Sequence, residues 1–178
     1  MSLFFVMYLV AKVKSKVFHN HEIICDYFRK CGMKIGVNVH IYSNIQTTES
    51  YLIRLGDNTT ISNDVQFLTH DNSIEKLDIG YSVGFGEIVI GSNCFIGARS
   101  IILGGVHLSD NVIVGAGSVV TKSFPEGSII AGNPARLISS MKDFKEKVLS
   151  RFNISIEGLS PIEKRELLLN NREKLIHR

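Results

Sequence analysis

A beat of six residues between Ile90 and Lys122 constrains this chain more than any other feature. The first place of each hexad is aliphatic: Ile90, Ile96, Ile102, Leu108, Val114 and Val120. The second is tiny at Gly91, Gly97 and Gly115, and the fifth is small or β-branched at Cys94, Ser100, Val106, Val112 and Ser118. Such a period matches neither the 3.6-residue repeat of a helix nor the two-residue alternation of a plain strand. It fits a ribbon wound into a three-sided coil, with short strands along the sides and sharp turns at the corners. Each turn takes three hexads, and each first-place aliphatic stacks on its counterpart one turn later.

Upstream, hexads begin at Ile35 and Ile41, pause for two extra residues, and resume at Leu55, Ile61 and Phe67. The pause near Glu49 to Leu52 predicts a bulge at a corner. Beyond Asn72 the beat fails until Ile90, and the intervening glycine-rich segment, 72–89, reads as a loop thrown out from the coil. Long loops inside a compact domain are usually functional. After Val120 the chain turns at residues 124–127, resumes once at Ile130 and is expected to leave the coil at Asn133-Pro134. An all-β core is therefore predicted at 33–140, between an N-terminal helical segment, 1–32, and C-terminal helices in 141–178.

Residues 2–18 begin apolar and acquire Lys12, Lys14 and Lys16, a pattern for a helix with one greasy flank. That flank is expected to pack on the coil's end or on a neighbouring subunit, or else to lie on a membrane surface. Asn20 is placed to cap a second short helix, with Glu22 favourable in its first turn and Gly32 closing it. His19 and His21 sit at that junction with no chemistry expected of them. Ser140 with Asp143 predicts a helix over 141–151, and Ser160, Pro161 and Glu163 predict one from 161 to about Lys174. These helices are expected to cap the open end of the coil, because an unpaired rung of strand edges invites aggregation.

Composition narrows the function classes. Twenty basic against seventeen acidic residues give a net charge of +3, too mild and too dispersed to announce nucleic acid. Three cysteines without a CxxC pair argue for a reducing compartment, with Cys94 a small buried hydrophobe at a corner. The apolar run from Leu3 to Val10 is too short to span a bilayer and no small-residue cleavage site follows, so the expected location is the cytoplasm.

Stacking decides what lies beside what. Ala98 falls over Ala116, beside Gly97 over Gly115, and the outer edge they form is nearly free of side chains. A long thin ligand fits along it. Counted within each turn, His70 and Lys122 share one face about two rungs apart, so that a base and a cation address the same cleft.

At this point the residues carry a likeness. The hexads, the loop after Leu68-Thr69-His70-Asp71, the GAGSVVTK of 115–122 and the AGNPARLI of 131–138 resemble the hexapeptide-repeat acyltransferases. Within that family the chain is most similar to the branch of maltose, galactoside and serine acetyltransferase-like proteins and surface-polysaccharide O-acetyltransferases. The likeness covers residues 33–140. It implies a left-handed parallel β-helix, a handedness that general chirality rules would not have predicted. It also implies a homotrimer, with acetyl-CoA bound between neighbouring subunits and no metal.

The same likeness makes His70, just before the loop, the catalytic histidine. An imidazole near neutrality suits the task of taking a proton from an attacking hydroxyl and returning it to the thiolate. Asn44 matches an asparagine lining the acceptor site. Gly97, Ala98, Gly115, Ala116 and Thr121 match CoA-lining places, and Lys122 and Arg136 match cations that answer the phosphates of CoA. Phe95 stands where the family often has tryptophan against the pantetheine arm. The oxyanion donor is expected to be a backbone N–H near Ala98. Several relatives carry a further histidine where Asp71, Asn72 and Ser73 stand here. Asp71 is accordingly a candidate to contact the acceptor or orient the imidazole, with a simple turn the favoured role.

The resulting expectation is an acetyl-CoA-dependent O-acetyltransferase. Its acceptor would be a sugar, nucleotide- or lipid-linked, of a surface-polysaccharide precursor. Amino-sugar N-acetylation and serine or antibiotic acetylation are the alternatives within the class. A metalloenzyme of the γ-carbonic-anhydrase kind requires three converging histidines. Here His40, His70 and His107 occupy different places of their turns. A non-catalytic coil is the remaining class.

Overall fold

The computed structural model describes residues 3–18, 20–151 and 154–172. Three parallel sheets form the sides of the coil. Face A stacks Lys34–Ile35, Ile53–Leu55, Ile88–Ile90 and His107–Leu108, and Phe124 extends it by a parallel bridge to Leu108. Face B stacks His40–Ile41, Thr60–Ile61, Phe95–Ile96, Ile113–Val114 and Ser128–Gly132. Face C stacks Gln66–Leu68, Ile101–Leu103 and Val119–Val120. The chain visits A, B and C in rotation.

The pairing register reproduces the hexads. Ile90 lies beside Leu108, Ile96 beside Val114 and Ile102 beside Val120, each one full turn apart. Where the beat pauses, the pairs Ile35–Leu55 and Ile41–Ile61 absorb the same two-residue excess. The pairs Leu55–Ile90, Ile61–Ile96 and Phe67–Ile102 all absorb the loop. Packing explains this regularity: the six first-place aliphatics from Ile90 to Val120 are at most 1% exposed. Burying each stabilises the coil by roughly 1.5–3 kcal/mol. A slip of one residue would turn the whole set outward.

The corners have their own chemistry. Asn38, Asn58, Asn93 and Asn111 all take positive φ, between 54° and 60°, at the turn from face A to face B. Asparagine tolerates this left-handed region better than most side chains, and here it recurs rung by rung. The Asn38 amide donates to the Asn58 carbonyl oxygen at 2.8 Å, which ties two rungs together.

Helix α1 (Leu3–Phe18) packs on α2 (Glu22–Lys30) through Tyr8, whose ring lies 5.9 Å from that of Tyr27 and 6.0 Å from that of Phe28. In turn α2 buries Ile24, Cys25 and Phe28 and is fastened to the first rung. The Cys25 thiol donates to the Val39 carbonyl at 3.1 Å, and Arg29 donates to the carbonyls of Ile35 and Gly36 at 3.2 and 2.7 Å. Asn20 accepts from the Glu22 N–H at 2.9 Å, and Gly32 ends the element at φ 100°. Residue 2 and His19 lie outside the described residues.

Two boundaries differ from expectation. The loop is shorter than 72–89, because Ile88 is fully buried on face A and belongs to the coil. Asn133-Pro134 is not an exit but a reversal: Ala135–Ser140 returns antiparallel along Ser128–Gly132. The returning strand covers the last parallel edge of face B, which would otherwise expose unpaired N–H and C=O groups.

The C-terminal unit begins at Lys142. Helix α3 spans Met141–Arg151 and α4 spans Pro161–Asn170. The Ser160 hydroxyl accepts from the Glu163 N–H at 3.3 Å, and the Glu163 carboxylate accepts from the Ser160 N–H at 2.8 Å. This reciprocal cap fixes the start of α4. The predicted end at Lys174 lies outside the described residues.

Candidate active site

The loop starts where the second turn of the coil leaves face C. Thr69 is buried, His70 and Asp71 are exposed, and the chain returns with Gly84–Phe85 antiparallel to them, His70 opposite Phe85. The two rings meet edge to face at 6.3 Å. The returning strand crosses the next rung so closely that a Cβ on Gly86 would sit 2.4 Å from the carbonyl carbon of Gly104. Only glycine fits there.

Glu49 holds the imidazole. Its Oε2 lies 2.8 Å from His70 Nδ1 and accepts from the hydroxyls of Thr69 at 2.9 Å and Thr47 at 3.2 Å; Thr48 donates to Oε1. The Thr48 hydroxyl first, and His70 next, hold the Glu49 carboxyl down at about 2, against 4.5 for an ordinary glutamate. A carboxylate at Nδ1 fixes the proton on that nitrogen and turns the Nε2 lone pair outward. Glu49 sits in the two-residue pause of the hexads, at the mouth of a short 3₁₀ turn, Ser50–Leu52. Sequence reasoning read that pause only as a bulge. The available signal was a lone carboxylate among three hydroxyls, Thr47-Thr48-Glu49-Ser50, inserted where the coil needs no residues.

Two clefts meet at His70. One, of about 560 Å³, runs between α2 and the first turn of the coil and is lined by Tyr27, Phe28, Cys31, Asn44, Thr48 and His70, among others. The other, of about 430 Å³, lies along the corner from face C to face A, between Phe85 and the bare pair Gly104-Gly105. Among the described residues lining them, His70 is the one they share. Asn44 and His70 are thus brought to one cavity. Tyr27, Phe28 and Cys31 were not expected there, because the hexads give no information about how the N-terminal helices seat on the coil.

Asp71 does something else. Its carboxylate accepts from the Ser73 N–H at 2.8 Å and caps the 3₁₀ segment Asn72–Leu77. That bond holds its carboxyl below the usual aspartate range. The imidazole is oriented by Glu49 and not by Asp71.

The remaining candidates divide between two corners. Leu68 pairs with Leu103 and Ile102 with Val120, so Thr121 and Lys122 follow on the His70 corner two rungs along. Lys122 is exposed, its Nζ 5.5 Å above the Phe124 ring. Gly97, Ala98, Gly115 and Ala116 occupy the corner from face B to face C. There a Cβ on Gly97 would meet the Ala116 nitrogen at 2.5 Å, and the Gly117 N–H donates to the Ala98 carbonyl at 2.8 Å. Phe95, 45% exposed, lies on face B, and Arg136 projects from the strand that returns along it. The bare glycine-alanine rim and the imidazole therefore do not border one cleft within a single chain; face C separates them. His40 on face B, ringed by His21 and Tyr42, and His107 on face A lie apart from His70 as well.

Comparison with known proteins fits this geometry. The family described as "Hexapeptide repeat of succinyl-transferase" matches residues 87–122. Protein CapG of Staphylococcus aureus is 41% identical over 150 residues, covering 82% of this chain and 87% of that one. Galactoside O-acetyltransferase of Escherichia coli (strain K12) is 35% identical over 114 residues, 63% of this chain and 56% of its own length. Among solved structures, a galactoside acetyltransferase in complex with coenzyme A superposes with a TM-score of 0.56 at 22% identity, covering 90% of this chain and 91% of that one. The chain belongs to the hexapeptide-repeat acyltransferases, and it is an enzyme of that class.

Proposed function

We propose that the protein is an acetyl-CoA-dependent O-acetyltransferase acting on a hydroxyl of a sugar, within a surface-polysaccharide precursor. One observation carries the reading: a single imidazole, pinned at Nδ1 by an ionised Glu49, borders both clefts. The cleft with Asn44 receives the acceptor, and the corner over Gly104-Gly105 receives the thioester. His70 Nε2 takes the proton from the sugar hydroxyl as its oxygen attacks the thioester carbonyl carbon. The tetrahedral intermediate then expels the thiolate, which recovers that proton from the imidazolium. No acyl group is carried on the enzyme. General base catalysis of this kind typically contributes about 10²- to 10⁴-fold.

The working form is a homotrimer of left-handed coils. Within one chain the His70 corner and the Gly97, Ala98, Gly115, Ala116 rim lie at opposite ends of face C, so a neighbouring subunit's rim supplies the second wall of the thioester cleft. Exposed apolar side chains on the loop, Leu77, Ile79 and Tyr81, support a neighbour in that place. Lys122 and Arg136 answer the phosphates of the cosubstrate, and Phe95 lies against its arm. The named activity of the galactoside relative supports a sugar acceptor, and an amino group remains the alternative nucleophile.

Release of free CoA thiol, measured with acetyl-CoA against a panel of hydroxyl and amino sugars, tests this. Acetyl transfer to a hydroxyl sugar is the expected result. Turnover on amino sugars alone would replace the O-transfer reading. Equal turnover by the His70→Ala variant would remove the site.

A further inference from the structure

Helix α1 has two unlike faces. Tyr8, Ala11 and Ser15, all at most 8% exposed, form the inner face, and Tyr8 packs on α2. The outer face is a stripe of Val6, Val10, Val13 and Val17 with Leu9 beside it, each between 38% and 65% exposed. These positions recur at intervals of four, three and four residues, so they lie on one side of the helix. At about 100° per residue, Lys14 falls along one edge of the stripe and Lys16 along the other, while Lys12 lies further round with its Nζ 5.7 Å from the Tyr8 ring. All three lysines are exposed, and no acidic residue occurs between Leu3 and Phe18.

A surface helix of a soluble protein turns its polar side to water. Here the order is inverted: aliphatics occupy the centre of the outward face, and cations frame it. That is the arrangement of a helix lying in the plane of a bilayer, with valines among the acyl chains and lysine stems reaching up to the phosphates. Among the described residues no helix is long and apolar enough to cross a membrane.

We propose that the outer face of α1 docks on a bilayer rich in anionic phospholipid. Charge selects this occupant over a second copy of the same stripe, which would set lysine rows against lysine rows. Because Tyr8 packs against Tyr27, and Tyr27 lines the Asn44 cleft, docking places that cleft about one helix diameter, roughly 10 Å, from the lipid surface. The inference does not depend on the reaction proposed above.

Co-sedimentation of the full-length protein with vesicles of phosphatidylcholine, with and without phosphatidylglycerol, tests it. Binding is expected on the anionic vesicles only and is expected to be lost in about 0.5 M salt. Replacing Val10 and Val13 by Asp, or Lys12, Lys14 and Lys16 by Gln, should each lower the partition coefficient by at least about tenfold. Both variants should keep the wild-type circular dichroism, light-scattering mass and CoA release in the absence of vesicles. Equal partitioning of variants and wild type, or no sedimentation with anionic vesicles, would overturn the proposal. Dissociation of the oligomer by Val10→Asp and Val13→Asp would also overturn it, making the stripe a subunit interface.

Discussion

Two successive passes of the chain through the same corner make opposite use of it. Leu68 and Leu103 are register partners on face C. After Leu103 the chain turns through Gly104-Gly105 and goes straight on to face A. After Leu68 it leaves the coil at His70, caps a 3₁₀ segment and comes back at Phe85. The regular pass has no side chains at the turn, and the irregular one carries the imidazole. Each needs the other: the bare pair leaves the space that the imidazole faces. The candidate site lies where the coil's period breaks, at the edge of the loop and in the pause that holds Glu49.

Removing the imidazole is the sharpest way to break the comparison. His70→Ala should lower kcat by about 10²- to 10⁴-fold and leave the melting temperature nearly unchanged, because the side chain is exposed. Stopped-flow CoA release together with a thermal melt checks both halves.

Glu49→Gln comes next. It should cost at least about tenfold in kcat, short of the 10⁴-fold that loss of an orienting carboxylate costs in a hydrolytic triad. The pH profile separates the two residues. With a folded-state value near 2, below the 4.5 of an unconstrained glutamate, Glu49 is ionised at every pH above about 3. Any stability it contributes is complete well above about pH 4.5 and is lost progressively as the pH falls from there through about 2. Any acid limb of the pH–rate profile above about pH 3 should therefore persist in Glu49→Gln, at a lower plateau. Disappearance of that limb would reassign it to the carboxylate.

Gly86→Ala tests whether the loop's return needs the bare corner. A methyl 2.4 Å from the Gly104 carbonyl carbon forces backbone apart, and such overpacking costs about 1–3 kcal/mol in urea unfolding. Ala in place of Asp71 should do least. It removes the cap on Asn72–Leu77, loosening that segment, and should leave kcat within about threefold. A rise in KM for acceptor alone would instead place its carboxylate on the sugar.

Some of this was readable in the residues and some was not. Ile90 to Val120 declared the coil because every turn must bury the same kind of side chain at the same place, so the register follows from composition at intervals of six. His70 was singled out as a candidate by its position before the break and by likeness to a family. Glu49 was missed because its partner is twenty-one residues away in sequence, across one turn of coil lengthened by the pause that contains it. Tyr27 and Cys31 were missed for a related reason: the seat of α2 on the first rung depends on Cys25 and Arg29 reaching particular carbonyls. No periodicity encodes such bonds.

What the amino acids determined unaided is the wound ribbon and its interruptions, because these follow from local side-chain size, branching and backbone preference repeated at fixed intervals. What only three dimensions decided is which break faces which: that a pause and a loop meet as carboxylate and imidazole, and that face C parts the glycine-alanine rim from them. Contacts between distant turns are set by how much chain each corner absorbs, and that becomes visible only when the turns are stacked.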